Sequence, residues 1–478
     1  MFSDRTKGFL CVSGGVIMHL YLGCFYLWGN IQVYITSYLH KHDPSVTLED
    51  TSIVFVIQTI AQAVCMPIAP LMIQHFPPWI SCLIGGIIAI GGVFGSSFVT
   101  NFWIFIFSYP ILFGIGIGAS YMAPVICGWE YFPKWKGAVS GVIVAGFGFG
   151  SFIFGFISIA IANPEGQKPD LDVDGGKIFG PETSVASNAP RMIRINCAIW
   201  ACLLFISLFM INKKSKTSTP YTLLSTPSNH QEDINETEDL ALTQTMRRES
   251  GKREENEIQI VEPTLCEVFK DYRLYYIWLM ILLSSSYPYF IASNFKTYEQ
   301  NYLHDDRFIT LVGSLGAVTN GLSRGFWATL QDLFGFKIVF MCLLVLEIVV
   351  AFTFVAIHNS KALYLIWVLI SFSTLGGHFS TIPTLCAKMF GPNTGGKAFS
   401  FVFTGFAGAT LLGWGLSKLR SQDKIKYDAL FYILGSLGVL ALIMVFFLRD
   451  YSKVRTTTIS FKNGKKFYAN DEIKELLS

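Results

Sequence analysis

Four ionisable side chains lie well inside stretches that are long and apolar enough to cross a lipid bilayer, away from the ends of those stretches: Arg324, His19, His378 and Glu347. An arginine at the centre of a spanning helix costs roughly 3 kcal/mol on insertion scales, so it normally faces a cavity, a partner or a bound anion. The alternative is that Arg324 lies near the end of its helix and extends to the headgroups. About six mostly apolar residues follow it before Gln331, which favours the cavity.

The two histidines and the glutamate are candidates for carrying a proton. Histidine titrates near neutral pH, so His19 or His378 could bind and release a proton. The commoner arrangement at such a depth is a neutral histidine that is hydrogen-bonded to a neighbour. For Glu347 we expect a protonated or paired carboxyl within the helix bundle rather than a functional group.

Composition identifies the class of protein that must position these groups. The chain has 478 residues, of which 52% are hydrophobic and 14% are charged, against about 25% charged in soluble domains. Twelve apolar runs have the length of a transmembrane helix. They cover residues 8–39, 52–74, 79–98, 101–128, 137–162, 193–211, 275–295, 308–330, 337–357, 362–386, 398–416 and 427–448. We therefore predict an all-α membrane protein with twelve transmembrane helices.

A long polar break divides these predicted spans into six and six. It is rich in Ser, Thr, Asn, Glu, Lys and Arg, and cannot bury enough apolar surface to order itself. The predicted organisation is an N-terminal six-helix half (1–212), a disordered cytoplasmic linker (213–263), a C-terminal six-helix half (264–448) and a cytoplasmic tail (449–478). Most of the 36 lysines and arginines fall on the side of the termini, which predicts that both termini are cytoplasmic.

Several functional classes are disfavoured by what the sequence lacks. We find no soluble basic domain that would bind nucleic acid. The ten cysteines are scattered singly, without metal-ligand spacing. The apolar runs contain no paired carboxylates, nucleophile elbow or metal set of the kind an enzyme needs. We expect no cofactor and no enzymatic activity.

The two predicted halves also resemble each other. Pro124 and Cys127 recur 259 residues later as Pro383 and Cys386, and Gly137 recurs at an offset of 258 as Gly395. Two parallel six-helix halves are the plan of the major facilitator transporters, in which the substrate binds between the halves near the midplane. The sequence therefore predicts a carrier of that architecture.

Three motifs resemble the oxalate/formate antiporter family, which is closely related to the monocarboxylate transporters. The first is Tyr131-Phe132-Pro133-Lys134 with the glycines that follow it in predicted span 5. The second is Leu22 to Trp28 in span 1. The third is Asn320 to Trp327 in span 8, followed by Asp332, Gly335 and Lys337. The resemblance covers nearly the whole membrane portion but neither the linker nor the tails.

The resemblance implies that Arg324 is the substrate-facing arginine that pairs with a carboxylate. A guanidinium offers a planar fork that matches two carboxylate oxygens, and Asn320, four residues earlier, shares its helix face. The family's oxalate transporters carry a second cation, a lysine in span 11, where this chain has Phe406 or Ala407. One fixed charge balances a monoanion and leaves a dianion uncompensated, which favours monocarboxylates over oxalate.

Further polar and aromatic side chains of spans 1, 4 and 7 are candidates for lining the substrate site. They are Tyr26, Trp28, Asn30, Tyr121 and the segment from Ser284 to Tyr289, which includes Tyr287. Pro288 is predicted to interrupt span 7, as transporters do where unwound backbone lines a site. The alternative for each aromatic residue is packing against neighbouring helices.

The loop between spans 8 and 9 keeps the gating residues Asp332, Gly335 and Lys337. The corresponding loop between spans 2 and 3, Met72 to Pro78, has lost the usual acidic and basic residues. The resemblance implies that this loop normally helps to hold one conformation closed. We therefore predict that the gating contacts of the loop between spans 2 and 3 differ from those that the resemblance implies.

These observations predict a secondary active transporter of small organic anions, most simply monocarboxylates, that works by alternating access with anion exchange or proton symport. The alternatives are a carrier of another small solute or inorganic anion, and a transport-inactive sensor or structural membrane subunit. The expected partners are a small carboxylate and the lipid bilayer. The segments 472–477 and 221–224 resemble signals for sorting adaptors, and the choice between plasma membrane and endosomal or vacuolar membrane stays open.

Overall fold

The computed structural model describes residues 3–173, 176–214, 259–261, 263–300, 306–357, 360–422, 424–448, 458–460 and 466–468. Most of the predicted linker and tail, including both sorting-like segments, lies outside these residues. The described part is almost entirely helical.

The N-terminal helices run from Asp4 to Met210. They are α1 (Asp4–Leu22), a 3₁₀ segment (Gly23–Leu27), α2 (Trp28–His42), α3 (Leu48–Thr51), α4 (Ile53–Cys65), α5 (Ile68–His75), α6 (Pro78–Ser96), α7 (Phe102–Ile106), a π segment (Phe107–Ile111), α8 (Leu112–Tyr131), α9 (Lys136–Ala162) and α10 (Ser184–Met210). A hairpin of β1 (Leu171–Val173) and β2 (Gly176–Ile178) precedes α10, and it pairs antiparallel with Leu171 opposite Ile178.

The C-terminal helices run from Leu265 to Phe447. They are α11 (Leu265–Lys270), α12 (Tyr272–Gln300), α13 (Asp306–Phe334), α14 (Phe336–Thr353), a 3₁₀ segment (Phe354–Ile357), α15 (Lys361–Phe390), α16 (Pro392–Ser421) and α17 (Tyr427–Phe447). The helices and their connections form one compact unit of residues 1–214 and 263–454. In a second unit, β3 (Gln259–Val261), β4 (Thr458–Ser460) and β5 (Lys466–Tyr468) form an antiparallel sheet in the order β3-β4-β5.

Eleven segments of the described chain are long and apolar enough to span a membrane, and each coincides with a predicted span. The exception among the predicted spans is 308–330, which is α13 in the structure. At 1.5 Å per residue its 29 residues exceed the bilayer thickness, but α13 is less apolar than the eleven. The structure therefore establishes a multi-pass membrane protein. That α13 also spans the membrane, which would bring the number of spans to twelve, stays a prediction.

The prolines interrupt helices at positions other than the predicted one. The predicted interruption at Pro288 is wrong, because α12 continues through it as one helix. The irregular segments lie elsewhere: α4 ends and α5 begins around Pro67, and Pro110 lies in the π segment before α8. A proline removes one backbone donor, and neighbouring helices can compensate for that loss within a bundle.

The first span is broken at its middle by the 3₁₀ segment that carries Tyr26. Gly23, at the start of this segment, lies directly against the backbone of α9. A Cβ at this position would meet the carbonyl oxygen of Phe147 at 2.0 Å. Only glycine allows this approach, which brings the irregular turn of the first span next to the centre of α9.

One predicted boundary is also wrong. Span 6 was expected to begin at residue 193, but α10 begins at Ser184, where the Thr183 side chain accepts a hydrogen bond from the Ala186 N–H. Arg191 and Arg194 lower the local hydropathy without ending the helix. Arg194 instead donates to Ser97 at 3.1 Å and lies over the Phe98 ring.

The N-terminal and C-terminal helices contact each other mainly through α9 with α13 and α15, and through α4 and α5 with α16. We call the end of the bundle that carries residues 213 and 263 the linker end, and the end that carries the β1–β2 hairpin the loop end. The α9–α13 contact extends from Gly137 at the linker end to Gly148, which lies against Gly321. Small residues allow this close helix approach in lipid.

Candidate functional site

Arg324 lies inside the bundle, at the α9–α13 contact, with a fully buried side chain. Its Nε donates to Asn320 Oδ1 at 3.0 Å, and its Nη1 donates to the carbonyl oxygen of Val144 in α9 at 3.1 Å. Nη2 is buried and has no hydrogen-bond partner. The cation is therefore held by two neutral acceptors, and part of its donor capacity is unused.

Two aromatic rings cover the guanidinium. Arg324 Cζ lies 4.7 Å from the centre of the Phe379 ring of α15 and 5.3 Å from that of Phe147 of α9. Ring faces attract a cation and exclude water from it. This cover keeps the unpaired donor in a dry environment, where an anion would be bound more strongly than in water.

Three tyrosine hydroxyls from three different helical segments surround the same point. Tyr26, Tyr121 and Tyr289 are each close enough to Arg324 for an electrostatic interaction. All three hydroxyls are buried and have no hydrogen-bond partner. A buried hydroxyl without a partner costs roughly 1–3 kcal/mol, so three of them beside an arginine indicate a site that a polar ligand completes.

His19 of α1 is the fourth polar group with an unused atom in this region. Its Nδ1 bonds the Gly15 carbonyl at 2.9 Å, while Nε2 is buried without a partner. The imidazole packs edge-on against Tyr121, with ring centres 4.8 Å apart. His19 therefore belongs to the cluster around Arg324.

Helix α16 adds aromatic side chains rather than a cation. Phe406 stacks on Phe379 with ring centres 4.9 Å apart, and its ring lies 6.0 Å from that of Tyr289. Phe403 is next to it and faces Tyr121. Phe406, one of the two positions considered for the missing lysine, therefore contacts the site.

Three other predicted site residues lie away from this cluster. Trp28 packs against Phe105 and Tyr109 of the span that contains α7 and α8. The Tyr287 hydroxyl bonds Ser371, 3.1 Å away. Asn30 is exposed, one helical turn beyond Tyr26 toward the loop end.

His378 and Glu347 form a separate buried pair. Nε2 of His378 lies 3.9 Å from Glu347 Oε2 and 3.0 Å from the Ser284 hydroxyl, and Nδ1 bonds the Thr374 carbonyl at 2.9 Å. Neither carboxylate oxygen of Glu347 has a hydrogen-bond partner. The pair is linked to the arginine through helix α15, because His378 immediately precedes Phe379.

Asp332 connects the two sets of helices at the linker end. Its Oδ2 accepts from the backbone N–H of Ala138 in the first turn of α9 at 2.8 Å, and its Oδ1 pairs with Lys388 of α15 at 2.9 Å. A carboxylate at a helix N-terminus is stabilised by the unpaired N–H groups there. We call this arrangement of Asp332, Ala138 and Lys388 the Asp332 latch.

The other two predicted gating residues have separate roles in the structure. Gly335 has a φ of +84° in the one-residue turn between α13 and α14, a conformation that favours glycine. The Lys337 ammonium lies 5.5 Å from the ring centre of Phe446 in α17. Neither belongs to the Asp332 latch.

The contact of α4 and α5 with α16 is less polar. The Ser400 hydroxyl donates to the Met66 carbonyl at 3.1 Å, and Ile126 of α8 lies against Gly396. A cleft lined largely by apolar side chains opens beside it, between α4, α11 and α16. Gln74, which occupies the position of Asp332 in this predicted half, is exposed.

Sequence reasoning missed Phe147 and Phe379 as parts of the site. Phe147 and Phe379 look like ordinary core residues, since only their distance from Arg324 distinguishes them. In the described residues no group of three His, Cys, Asp or Glu could hold a metal ion. The chemistry that this cluster supports is the binding of one small anion with hydrogen-bond acceptors.

Comparison with known proteins gives a consistent result. The second part of the chain, residues 275–477, matches the model of the Major Facilitator Superfamily. A solved structure of the proton:xylose symporter XylE superposes with a TM-score of 0.65 over 93% of this chain and 96% of that chain, at 13% sequence identity. At this identity the match concerns the fold alone.

Among curated proteins, Apicoplast pyruvate carrier 1 of Toxoplasma gondii is 25% identical over 507 residues, covering 96% of this chain and 91% of that protein. Monocarboxylate transporter 12 of Xenopus laevis is 30% identical over 89 residues, 19% of each chain. Monocarboxylate transporter 9 of Gallus gallus is 32% identical over 88 residues, 18% of this chain and 17% of that protein.

Proposed function

We propose that this chain, whose second part matches the model of the Major Facilitator Superfamily, transports small monocarboxylate anions and that Arg324 binds the carboxylate. The observation that carries the proposal is the unused, buried Nη2 of Arg324 beside three unpartnered tyrosine hydroxyls. A carboxylate at this point would accept charge-assisted hydrogen bonds from the guanidinium. A second oxygen on the substrate could accept from a tyrosine hydroxyl.

The charge of the site supports a monoanion. One buried cation balances one carboxylate, while a second negative charge would be left uncompensated in a low dielectric. Phe406 stands where the resembling family's oxalate transporters have lysine, and it contributes only apolar surface. The printed names of the relatives, pyruvate carrier and monocarboxylate transporter, agree with this substrate class.

Transport by alternating access requires the two sets of helices to separate at one end and then at the other. In the proposed cycle, α13 (predicted span 8) also crosses the membrane, which completes the set of twelve spans. Arg324 then lies in the path between the halves, and both termini are in the cytoplasm. The Asp332 latch closes the linker end, while Asn30 and part of Tyr26 are exposed above the site. Substrate would enter from the loop end. The membrane in which the protein lies stays a prediction: the plasma membrane or an endosomal or vacuolar membrane.

Uptake into proteoliposomes tests the proposal. We expect wild-type protein to exchange labelled pyruvate, lactate or formate, and Arg324→Gln to lower the rate at least about tenfold, because the bound anion loses its charge-assisted hydrogen bonds. Arg194→Gln is the matched control, since that arginine lies at the loop end on Ser97. The proposal fails if no monocarboxylate exchanges, or if correctly inserted Arg324→Gln transports normally. Sulfate or nitrate exchange without carboxylate exchange would instead favour an inorganic-anion carrier.

Specificity gives a second test. Phe406→Lys places a cation in the cluster and should raise oxalate exchange relative to pyruvate, because a dianion would then be balanced by two charges. Ala407→Lys is the comparison variant, which adds the same charge one position away from the ring that contacts Phe379 and Tyr289. Equal responses of the two variants, or no gain of oxalate exchange by Phe406→Lys, would contradict the charge argument.

A further inference from the structure

The apolar cleft at the linker end belongs neither to the Arg324 cluster nor to the Asp332 latch. Its walls come from both sets of helices, with Val64, Pro67 and Leu71 on one side and α11 and α16 on the other. The α11 wall is a single helix face, because Leu265 and Phe269 lie four residues apart. The cleft has a volume of about 170 Å³, and an apolar cavity of roughly 150 Å³ holds a molecule as large as benzene. It therefore has room for part of an apolar chain.

The mouth of the cleft faces the membrane at the depth of the headgroups. Val64 is 69% exposed, and Leu71 and Phe269 are exposed as well. On a membrane protein, large apolar side chains on the outside of the bundle face lipid. Tyr275, an exposed tyrosine near the start of α12, donates to the Phe269 carbonyl at 3.0 Å. Tyrosines of this kind mark the membrane–water interface, so lipid molecules can reach the cleft from the side.

One cation lies among the residues that line this cleft. Lys397 is partly buried and follows the start of α16 by five residues, which is about 7.5 Å along the helix. No ion pair joins its ammonium to a carboxylate of the described residues. A cation beside apolar side chains at this depth normally has an anionic partner or extends to the headgroups. The surrounding protein provides no such anion within the described part of the chain, whereas the phosphate of a lipid would.

We propose that the cleft is a binding site for an anionic phospholipid, whose acyl chain lies along the apolar walls and whose phosphate pairs with Lys397. The site is independent of the transported substrate. The topology of the proposed cycle places it in the cytoplasmic leaflet, which holds the anionic lipids and attracts basic residues near its surface. The apolar walls accept any acyl chain, so Lys397 is the residue that selects the headgroup.

The lipid in this site would bridge the two sets of helices. The Ser400 hydroxyl, which lines the cleft on α16, donates to the Met66 carbonyl at the end of α4. When the linker end opens and these helices separate, the two walls move apart and the site is lost. A ligand that binds one of two conformations shifts the equilibrium toward it. Anionic lipid therefore favours the form in which the linker end is closed.

Tryptophan fluorescence measures occupancy of the cleft. Trp278 of α12 donates to the hydroxyl of Thr404, which lines the cleft, at 2.8 Å. A brominated acyl chain in the cleft quenches this indole, and the difference between wild type and Trp278→Phe isolates its signal. In phosphatidylcholine nanodiscs, we expect dibrominated phosphatidylglycerol to quench Trp278 about fivefold more than dibrominated phosphatidylcholine at equal, low mole fraction, the preference that one lysine near the surface gives.

Lys397→Gln should remove this preference and leave quenching by the two lipids equal, whereas Lys397→Arg keeps the cation and should retain it. Lys134→Gln is the matched control, since it removes an exposed lysine from the same end of the bundle, in the loop before α9. Equal quenching by the two lipids in wild type would overturn the proposal, as would a preference that persists in Lys397→Gln. Quenching by neither lipid would also overturn it and would show that protein, such as the linker or a second copy, covers the cleft.

Wild-type protein decides the matter if a variant does not fold. A phosphatidylglycerol with a photoactivatable group on its acyl chain should label peptides that contain Val64 or Phe401, which line the cleft. Excess unlabelled phosphatidylglycerol should compete for this labelling more strongly than phosphatidylcholine. Labelling of neither peptide, or equal competition by the two lipids, would overturn the proposal.

The effect on conformation is measured separately from binding. Thr384 is fully buried at the contact between the two sets of helices, where its hydroxyl donates to Ser140 at 3.3 Å. Labelling of Thr384→Cys by a water-soluble maleimide should slow by up to about fivefold when phosphatidylglycerol replaces part of the phosphatidylcholine, because the shift cannot exceed the lipid's differential affinity. Lys397→Gln should abolish the slowing. Selective lipid binding with an unchanged labelling rate would overturn the inference that the lipid favours the closed linker end.

Discussion

Two contacts close the linker end, and they are built from different chemistry although they occupy equivalent places in the two predicted halves. The α9–α13 contact is lined by glycines and held by the buried carboxylate of Asp332. Among the described residues, the contact of α4 and α5 with α16 has a cross-half hydrogen bond at Ser400 and an apolar cleft beside it. The hydrogen bonds of Asp332 fix the position of the α9–α13 contact, whereas the contact of α4 and α5 with α16 depends on the packing of apolar side chains.

This difference predicts different behaviour during opening. A buried carboxylate that has two partners strongly disfavours separation, because a departing Asp332 would leave an unpaired charge. Apolar side chains can slide and repack at much lower cost. We therefore expect the α4/α5–α16 side to deform first, and the α9–α13 side to keep its register and act as the pivot.

The largest effect is expected from Asp332→Ala, which removes the carboxylate that bonds both Ala138 and Lys388. Breaking a buried pair should destabilise the closed linker end by roughly 3 kcal/mol, the low end of the range, because Lys388 is partly exposed. Labelling of Thr384→Cys by a membrane-impermeant maleimide measures this opening, in a background without the exposed cysteines 202, 266 and 342. Unchanged protection of residue 384 would show that the latch does not hold this end closed.

A smaller effect is expected from Gly141→Ala. Its Cβ would lie 2.7 Å from the Arg324 carbonyl oxygen and 2.9 Å from the Gly325 Cα, which cannot yield, so a loss of about 1–3 kcal/mol is expected. Gly396→Ala, on the opposite contact, meets the flexible end of Ile126 and should cost less than about 1 kcal/mol.

The thermal midpoints of the purified variants measure this comparison, with Gly415→Ala as the control, since its Cβ would meet nothing within 4 Å. Equal destabilisation by Gly141→Ala and Gly396→Ala would remove the distinction between a rigid and a deformable contact.

The smallest effect is expected from Gln74→Asp, which restores an acidic residue on the side that lacks one. α16 begins without a side-chain cap, and Pro70, one turn before Gln74 in α5, lies against Gly396 near that end, so a carboxylate at position 74 should stabilise the closed linker end by about 0.3–1 kcal/mol. Slower pyruvate exchange at low ionic strength, lost in high salt, is the expected result. Gln74→Asn is the control, and an equal effect of both variants would exclude a charge-based cap.

The sequence was sufficient to identify the helices and the central arginine, but not the direction of each neighbouring side chain. Arg324 and Asn320 are four residues apart in a regular helix, so they were expected to share a face, and they do contact each other. Tyr26 and Trp28 are two residues apart, and so are Tyr287 and Tyr289. Residues at this spacing lie about 200° apart around a helix, so only one of each pair can face the site.

Which member of each pair faces inward depends on contacts that sequence does not encode locally. Tyr26 is turned toward Arg324 by the 3₁₀ segment, whose position depends on Gly23 lying against Phe147. Tyr287 and Tyr289 were both candidates in a segment that Pro288 was expected to break, whereas α12 is regular there and brings Tyr289, not Tyr287, to the cluster. Long-range packing, rather than propensity, decides both cases.

The Asp332 latch also has a consequence for how the protein is made. The start of α9 has no side-chain cap of its own, and its Ala138 N–H is satisfied by a residue 194 positions later in the chain. During synthesis, the ribosome completes the first six spans long before Asp332 emerges. Until then, the first turn of α9 must find another acceptor or fray, so a nascent chain arrested before residue 332 should be the form most exposed to membrane quality control.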